Sequence, residues 1–302
     1  MSILITILFW TYFPEVLKKL YFVTPIAIEN EGKFQYWTLL TFGLFLYALF
    51  YSYMYVIYHL ELPFFERYKI TNNPWPWNDK SEDWNAKLKK TLIQLAINHF
   101  ICTPIVSLEP FITNIANYRC DLDSLPSIFE IIWQNVFFML IEDFLFYWGH
   151  RLSHWDKIYP YMHKQHHQYI NSISISATYS HWFEFCFFNI LPAYSGPLLL
   201  GKRTHLLTTM MWSVLRIAET IDGHCGYEFS WSPFRLIPFS GSAEYHHHHH
   251  LSYKGNYSSF FTIWDRICGT VNKPYLDYVK EREKDYDHGV YLEIKSDELK
   301  KQ

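Results

Sequence analysis

Charged residues are scarce in this sequence. Of its 302 residues, 18% are Asp, Glu, Lys or Arg, and the formal net charge is only −3. Nucleic-acid binding depends largely on clustered Lys and Arg that neutralise phosphates. The lack of a basic surplus therefore argues against a nucleic-acid partner. Half of the residues are apolar and a fifth are aromatic, and the length allows one large domain or two smaller ones.

The sequence also lacks paired cysteines and a recognisable signal peptide. Its five cysteines form no CxxC pair and no regular framework, and their number is odd. We expect reduced thiols rather than disulfides. Residues 1–19 are apolar but have neither a basic start nor a small-residue cleavage site. That pattern favours an interfacial helix or a partial span over a cleaved signal.

Long apolar runs are abundant. Residues 36–60 contain no Asp, Glu, Lys or Arg, and the run exceeds the ~20 residues that a helix needs to cross hydrocarbon. Weaker candidates are residues 91–108, 127–149, 181–201 and 205–221, for which a buried core helix is the alternative. The sequence therefore predicts an all-α integral membrane protein with about four to five spans.

The loops between these runs predict the orientation. Six Lys and Arg residues lie between positions 61 and 90, whereas only Arg119 lies between positions 109 and 126. The positive-inside rule puts the first of these loops in the cytosol. Residues 150–181 and the chain after residue 221 can then meet at one cytosolic face. Lys202 and Arg203 oppose this orientation weakly.

Sixteen histidines are far more than a fold without a metal needs, and eight of them form three spaced clusters at that face. Spacings of three and four residues put side chains on one face of an α-helix, where neighbouring imidazoles can bind the same ion. Surface histidines at chance spacing are the alternative, which three clusters at one face disfavour. We therefore predict a metal site. The clusters are His150 and His154; His163, His166 and His167; and His246, His249 and His250.

The third cluster lies inside a run of five histidines, residues 246–250. The run sits in aromatic-rich sequence far from either terminus, so a purification tag is an unlikely origin. His247 and His248 are predicted to fill the gaps in the HxxHH pattern. The four histidines outside any cluster are predicted to be structural: His59, His99, His205 and His288.

Eight histidines exceed the four ligands of one closed zinc site. Imidazole suits zinc, copper, iron and nickel, and this number suits two ions, each with an open position where O₂ can bind. Glu142 and Asp143 lie two turns before His150 inside an apolar run, where acids are expensive and usually functional. We expect them to orient imidazoles. A salt bridge to Arg151 or to another helix is the alternative.

Four stretches carry a family resemblance: "EDFLFYWGHRLSH", "YMHKQHHQY", "RIAETIDGHCGYEFSWSPFRLIPFSGS" and "HHHHHLSYKGNYSSFFTIWDRICGT". They resemble the fatty acid hydroxylase/sterol desaturase superfamily, over roughly residues 129–270. Within it, "ETIDGHCGY" and "GNYSSFFTIWDRICGT" are most similar to the methylsterol monooxygenases, which oxidise the methyl groups at sterol carbon 4.

The resemblance implies a non-haem di-iron oxygenase in the endoplasmic reticulum membrane, with its active site facing the cytosol. It would use O₂ and electrons from a reduced nicotinamide, delivered through a reductase and a cytochrome. The eight clustered histidines match the family's metal ligands. Two more candidate ligands are His181 in "ATYSHWFE" and His224 in "DGHCGY". The implied regions are an N-terminal membrane region (1–126), a catalytic domain (127–271) and a charged C-terminal tail (272–302).

The sequence departs from the family pattern near two clusters. Ala243, Glu244 and Tyr245 stand where the family commonly has residues of an Arg-His-His-Asp arrangement, and "NSISIS" replaces an Ala-Pro-Phe-Gly segment. These differences lie beside the predicted metal ligands, so they leave the identity of the substrate more open than the type of reaction. Alternatives are therefore a sterol desaturase, a sterol side-chain dealkylase or a fatty-acyl hydroxylase on the same scaffold. A more remote alternative is a non-catalytic membrane protein that metals, such as zinc, only stabilise.

Overall fold

Helices supply nearly all of the regular structure. The computed structural model describes residues 31–79, 83–121 and 123–287. Within these ranges there is no β-strand, only three isolated bridges, which confirms the predicted all-α class. All five cysteines lie in this part of the chain and are free thiols, also as predicted. The predicted N-terminal interfacial helix and His288 lie outside the described residues.

The helices begin at side chains suited to cap them. Ser127 accepts a hydrogen bond from the backbone N–H of Glu130 at the start of α5, and Ser242 accepts one from Tyr245 at the start of α9. Such caps satisfy N–H groups that have no partner inside the helix. The α-helices of the described residues are α1 (Glu31–Leu60), α2 (Pro63–Glu66), α3 (Trp84–Ile97), α4 (Thr103–Ile112), α5 (Ile128–Ser153), α6 (Trp182–Glu184), α7 (Leu191–Leu200), α8 (Leu206–His224), α9 (Ala243–Ser252), α10 (Ile263–Ile267) and α11 (Lys273–Asp287).

Among the described residues, three helical stretches are long and apolar enough to cross a membrane. They are Glu31–Leu60, Trp84–Leu108 and Trp182–Arg203. The count is below the four to five spans expected, because α5 and α8 are helical but carry several charges each. Instead, α8 packs against α1, α5 and α9 at the centre of the molecule.

Two of these stretches are interrupted by π-helical segments, which we call π1 (Asn98–Cys102) and π2 (Phe185–Ile190). A proline follows each segment within two residues, at Pro104 and Pro192. Proline has no N–H to donate to the carbonyl one turn earlier, so the α-helical ladder is weakened there. π segments in α-helices are frequently found at functional sites.

The basic loop after α1 packs against the end of α8. The backbone N–H of Ile70 donates to the carbonyl of Gly226 at 3.0 Å, and that of Glu228 donates to the carbonyl of Tyr68 at 2.8 Å. Tyr58 adds a hydrogen bond from its hydroxyl to the Cys225 carbonyl, at 2.8 Å. The loop is therefore fixed beside the end of α8 that carries His224.

Candidate metal centre

Nine histidines converge into two groups beside the central helix α8. Within each group, the nitrogen atoms that could bind a metal all lie within 4.8 Å of one another. The first histidine group is His150, His154, His163, His167 and His249. The second histidine group is His166, His224, His246 and His250.

The two HxxHH clusters each supply both groups. His163 and His167 belong to the first group, while His166 between them belongs to the second. In α9 the division is reversed, because His249 joins the first group and His246 and His250 join the second. The sequence pattern assumed α-helical geometry for both clusters. The structure differs at the second cluster, where His163–Gln168 is a 3₁₀ helix.

Distances within each group match those of ligands around one ion. Neighbouring Nε2 atoms are 3.0 to 3.3 Å apart in the first group and 2.9 to 3.3 Å apart in the second. Two nitrogens that are each about 2.1 Å from a metal, at an angle of roughly 90 to 109°, are about 3.0 to 3.4 Å apart. Each group therefore has the dimensions of a single metal site.

The other ring nitrogens are held in a way that leaves Nε2 free for a metal. The Nδ1–H groups of His150, His249 and His224 donate to the backbone carbonyls of Tyr257, Gly255 and Thr220, at 2.7 to 2.8 Å. A neutral imidazole with its proton on Nδ1 has only a lone pair on Nε2. Facing lone pairs repel each other, so a cation between them is the arrangement that this donor set fits.

Burial keeps these imidazoles neutral. Desolvation, reinforced by neighbouring histidines, lowers the pKa of His163, His249 and His250 well below the usual value of 6.5. Metals bind the deprotonated ring, so the neutral form is the ligand form. Water is largely excluded as well, because His249 and His250 are both fully buried.

A loop after α9 positions the carbonyls that hold His150 and His249. The buried carboxylate of Asp265 accepts hydrogen bonds from the backbone N–H groups of Tyr257 and Ser258, at 3.0 and 2.8 Å. Gly255 has a φ of +79°, and a Cβ there would lie 2.5 Å from a backbone oxygen, so this turn requires glycine. Neither Asp265 nor Gly255 was predicted as a site residue, although both lie in stretches that carry the family resemblance.

Glu184 was also missed, and among the described residues it is the carboxylate that contacts a histidine of the first group. Its Oε1 accepts the Nδ1–H of His163 at 2.7 Å, and both side chains are buried. A carboxylate in this position fixes the ring orientation and raises the basicity of the other nitrogen. The signal was present in the sequence, because Glu184 is an acid inside an apolar run.

The carboxylates that were expected in this role, Glu142 and Asp143, do not contact histidines. Glu142 forms an ion pair with Arg216 of α8 at 2.8 Å, and Asp143 accepts a hydrogen bond from the backbone N–H of Phe261 at 3.0 Å. Both are buried on α5, but on a helix face that points to α8 and the loop before α10. The alternative interpretation, a salt bridge to another helix, describes Glu142.

The other histidines predicted as ligands or as gap-filling residues lie partly inside and partly outside the two histidine groups. His224 lies in the second histidine group, but His181 lies in neither. Instead, the Nδ1 of His181 accepts the backbone N–H of Phe183 at 3.3 Å and caps α6. His247 and His248 also lie outside both groups, and His248 packs against Tyr275 and Tyr278 of α11.

Two adjacent cavities lie beside the histidines. The small cavity is lined by residues of both groups, including His150, His163 and His246. The large cavity lies between α1, π1, π2, α7 and α8, and its empty space is about 920 Å³, including the part that opens outward. Ala177, Asn189 and Thr220 line both. These three residues therefore separate the large cavity from the cavity at the histidines by a single layer of side chains.

Comparison with known proteins decides the family. The fatty acid hydroxylase family model matches residues 135–270, the segment that holds all nine grouped histidines. A methylsterol monooxygenase of Arabidopsis thaliana is 36% identical over 212 residues, which cover 68% of this chain and 75% of that protein. The chain belongs to the fatty acid hydroxylase family.

Other members of this family are similar over comparable lengths. Methylsterol monooxygenase 1 of Gallus gallus is 34% identical over 74% of this chain and 72% of its own length. A very-long-chain aldehyde decarbonylase of Oryza sativa is 32% identical over 85% of this chain and 93% of its own length. No solved structure matches the chain.

Proposed function

We propose that this chain is a membrane di-iron oxygenase that oxidises the carbon-4 methyl group of a methylsterol. The observation that carries the proposal is the pair of buried, all-histidine groups next to an apolar cavity. The family membership and the relatives named methylsterol monooxygenase support an oxygenase in general and this substrate in particular.

The donor sets favour two irons over structural zinc. The first group offers five imidazoles and the second four, and neither contains a cysteine. A closed structural zinc site normally has four ligands, often with cysteine among them, whereas imidazole also suits iron. The first group would hold one ion and the second the other. When bound, two ferrous ions supply the reduction of O₂ that oxidises an unactivated C–H bond.

The protein's own contribution is to orient the imidazoles, exclude water and position the substrate. Glu184 and the carbonyls of Tyr257 and Gly255 hold the rings of His163, His150 and His249, and the Nε2 atom of each of these rings faces another histidine of the first group. The burial of these rings keeps bulk water away from the centre. The large cavity would hold the lipid so that one carbon faces the small cavity, which is the positioning that such a reaction requires.

An aldehyde substrate is the second candidate. It is favoured by one observation, that similar relatives are named very-long-chain aldehyde decarbonylases. A long acyl chain would also fit an apolar cavity. The two candidates differ in shape, since a rigid ring system needs a wide cavity and a single chain needs a narrow one.

We also propose that the centre faces the cytosol, from the endoplasmic reticulum membrane, and receives electrons from a cytochrome. Arg67 and Lys69 lie in or beside the loop that packs against the end of α8, and His224 of the second histidine group lies at that same end. Positive charge favours the cytosolic side. The proposed regions are still residues 1–126, 127–271 and 272–302. The large cavity has walls from the first two, so these regions would act together.

The test is metal content and sterol turnover on one purified, reconstituted sample. We expect about two irons per chain and O₂-dependent oxidation of a 4-methylsterol, with the His248→Ala variant as a control that retains both. Two irons with oxidation of a long-chain aldehyde only would move the proposal to the second candidate. Tightly bound zinc, and no activity after exchange with iron, would refute the oxygenase.

A further inference from the structure

The wall of the large cavity contains a buried histidine that the metal groups do not use. His99 lies in π1, is 6% exposed, and lines the large cavity. Its Nε2 is 3.1 Å from the hydroxyl oxygen of Thr178. Its Nδ1 is buried and has no hydrogen-bond partner among the described residues. The sequence alone suggested only a structural role for this residue.

An unpartnered polar atom in such a place points to a missing ligand. Burying a polar group without a hydrogen bond is unfavourable, and nearly all buried polar groups in proteins are paired. A phenylalanine could fill the same space between Tyr47 and Phe185 without this penalty. The free nitrogen belongs to a residue that lines the cavity, so it is a candidate to bind a polar atom of a ligand there.

The surrounding segments hold His99 in place. Asn98 donates two hydrogen bonds from its Nδ2, to the carbonyls of Thr178 and Ser180, each at 3.0 Å. The Thr178 hydroxyl also lies 2.7 Å from the hydroxyl of Tyr51. A chain of hydrogen bonds thus runs from Tyr51 through Thr178 to His99. A ring fixed in this way is suited to recognise one atom of a ligand.

This polar cluster lies on the metal side of the cavity. Thr178 directly follows Ala177, which lines both the large and the small cavity. A 4-methylsterol carries its hydroxyl on carbon 3, next to the carbon that bears the methyl group. When that methyl group faces the metals, the hydroxyl must lie near the same end of the cavity. The single polar atom of the substrate and the cluster around His99 therefore belong to the same region.

We propose that the Nδ1 of His99 binds the carbon-3 hydroxyl of the sterol and so selects and positions the substrate. The inference rests on the proposed sterol function and deepens it. The hydrogen-bond chain can run in either direction, which makes Nδ1 a donor in one case and an acceptor in the other. A hydroxyl fits both cases because it can donate and accept. His99 is a positioning residue.

The test compares binding of a tritiated 4-methylsterol with binding of its 3-deoxy analogue to the metal-loaded protein in lipid nanodiscs. One neutral hydrogen bond to a buried group predicts that the wild-type protein prefers the hydroxylated sterol by about 10- to 100-fold. In His99→Leu this preference should fall to about threefold or less, with a matching rise in KM and unchanged iron content.

Two further variants separate hydrogen bonding from packing. The amide of asparagine can reach the position of Nδ1, whereas that of glutamine reaches the position of Nε2. His99→Asn should therefore retain most of the preference and His99→Gln should lose it. His59→Leu, at an exposed histidine of α1, is the matched control. Thr178→Val serves as the second variant should His99→Leu fail to fold, and it should weaken the preference.

The outcomes distinguish the inference from the function on which it rests. If the wild-type protein binds the sterol but does not prefer it over the deoxy analogue, the role of His99 is refuted and the sterol function stands. The same holds if His99→Leu keeps the wild-type preference. If the wild-type protein binds neither sterol, the proposed function fails and the inference fails with it.

Discussion

Replacing Glu184 by alanine would remove a carboxylate that contacts a histidine of the metal centre. The Oε1 of Glu184 accepts the Nδ1–H of His163 at 2.7 Å, and both side chains are buried. Partners of this kind typically contribute a factor of about 10 to 100 in metal affinity. We expect the first group to bind iron about 10- to 100-fold more weakly in Glu184→Ala, which corresponds to about 1.4 to 2.7 kcal/mol.

The assay is a chelator competition on the purified protein, with iron retained per chain as the readout. Glu184→Gln keeps an acceptor oxygen but not the charge, so its loss should be smaller. Glu130→Ala is the matched control, because Glu130 pairs with Arg119 and contacts neither histidine group. Wild-type iron affinity in Glu184→Ala would refute the reasoning, and so would an equal loss in the control.

The remaining predictions concern ligand identity, the buried ion pair and acid stability. His249→Ala should lower bound iron from about two towards one per chain, while His248→Ala should retain both irons. Equal losses of iron in the two variants, measured by metal analysis, would contradict the assignment of His249 as a ligand and His248 as a non-ligand. Arg216→Leu leaves Glu142 buried without its partner and should lower the unfolding free energy, measured by denaturant titration, by about 3 to 5 kcal/mol. The loss should be smaller in the double variant that also carries Glu142→Leu, and a single variant with near wild-type stability would contradict the prediction. Burial lowers the pKa of His247 to about 4. Between about pH 6.5 and 4 the unfolded chain therefore binds a proton that the folded chain does not, and Tm should fall as the pH falls through this window. A Tm that stays constant would contradict this prediction.

Much of the metal centre could be predicted because its spacing is local. Histidines three and four residues apart are neighbours whatever the rest of the fold does, so the three clusters could be found without tertiary information. Which histidines share an ion could not be found in this way. That division depends on how α5, α9 and the 3₁₀ segment at His163–Gln168 meet, which local periodicity does not specify.

The carboxylates also show that local spacing does not specify contacts between separate segments. Glu142 is two turns from His150 on one helix, but the face it occupies points to Arg216. Proximity along a helix therefore gave the wrong partner. Glu184 is 21 positions from His163 in the chain and meets it only because the fold places the end of α6 beside the second cluster. The same reason hid His99, whose role depends on a cavity built by several separate segments.

The exchange of histidines between the two groups has a consequence for metal loading. Each HxxHH segment, at His163–Gln168 and in α9, holds ligands for both ions. The first ion to bind therefore restrains a segment that also carries ligands of the second ion, so the second ion has less side-chain freedom to remove. Loading should be positively cooperative, so that a sample with one iron per chain on average is mainly a mixture of empty and fully loaded molecules.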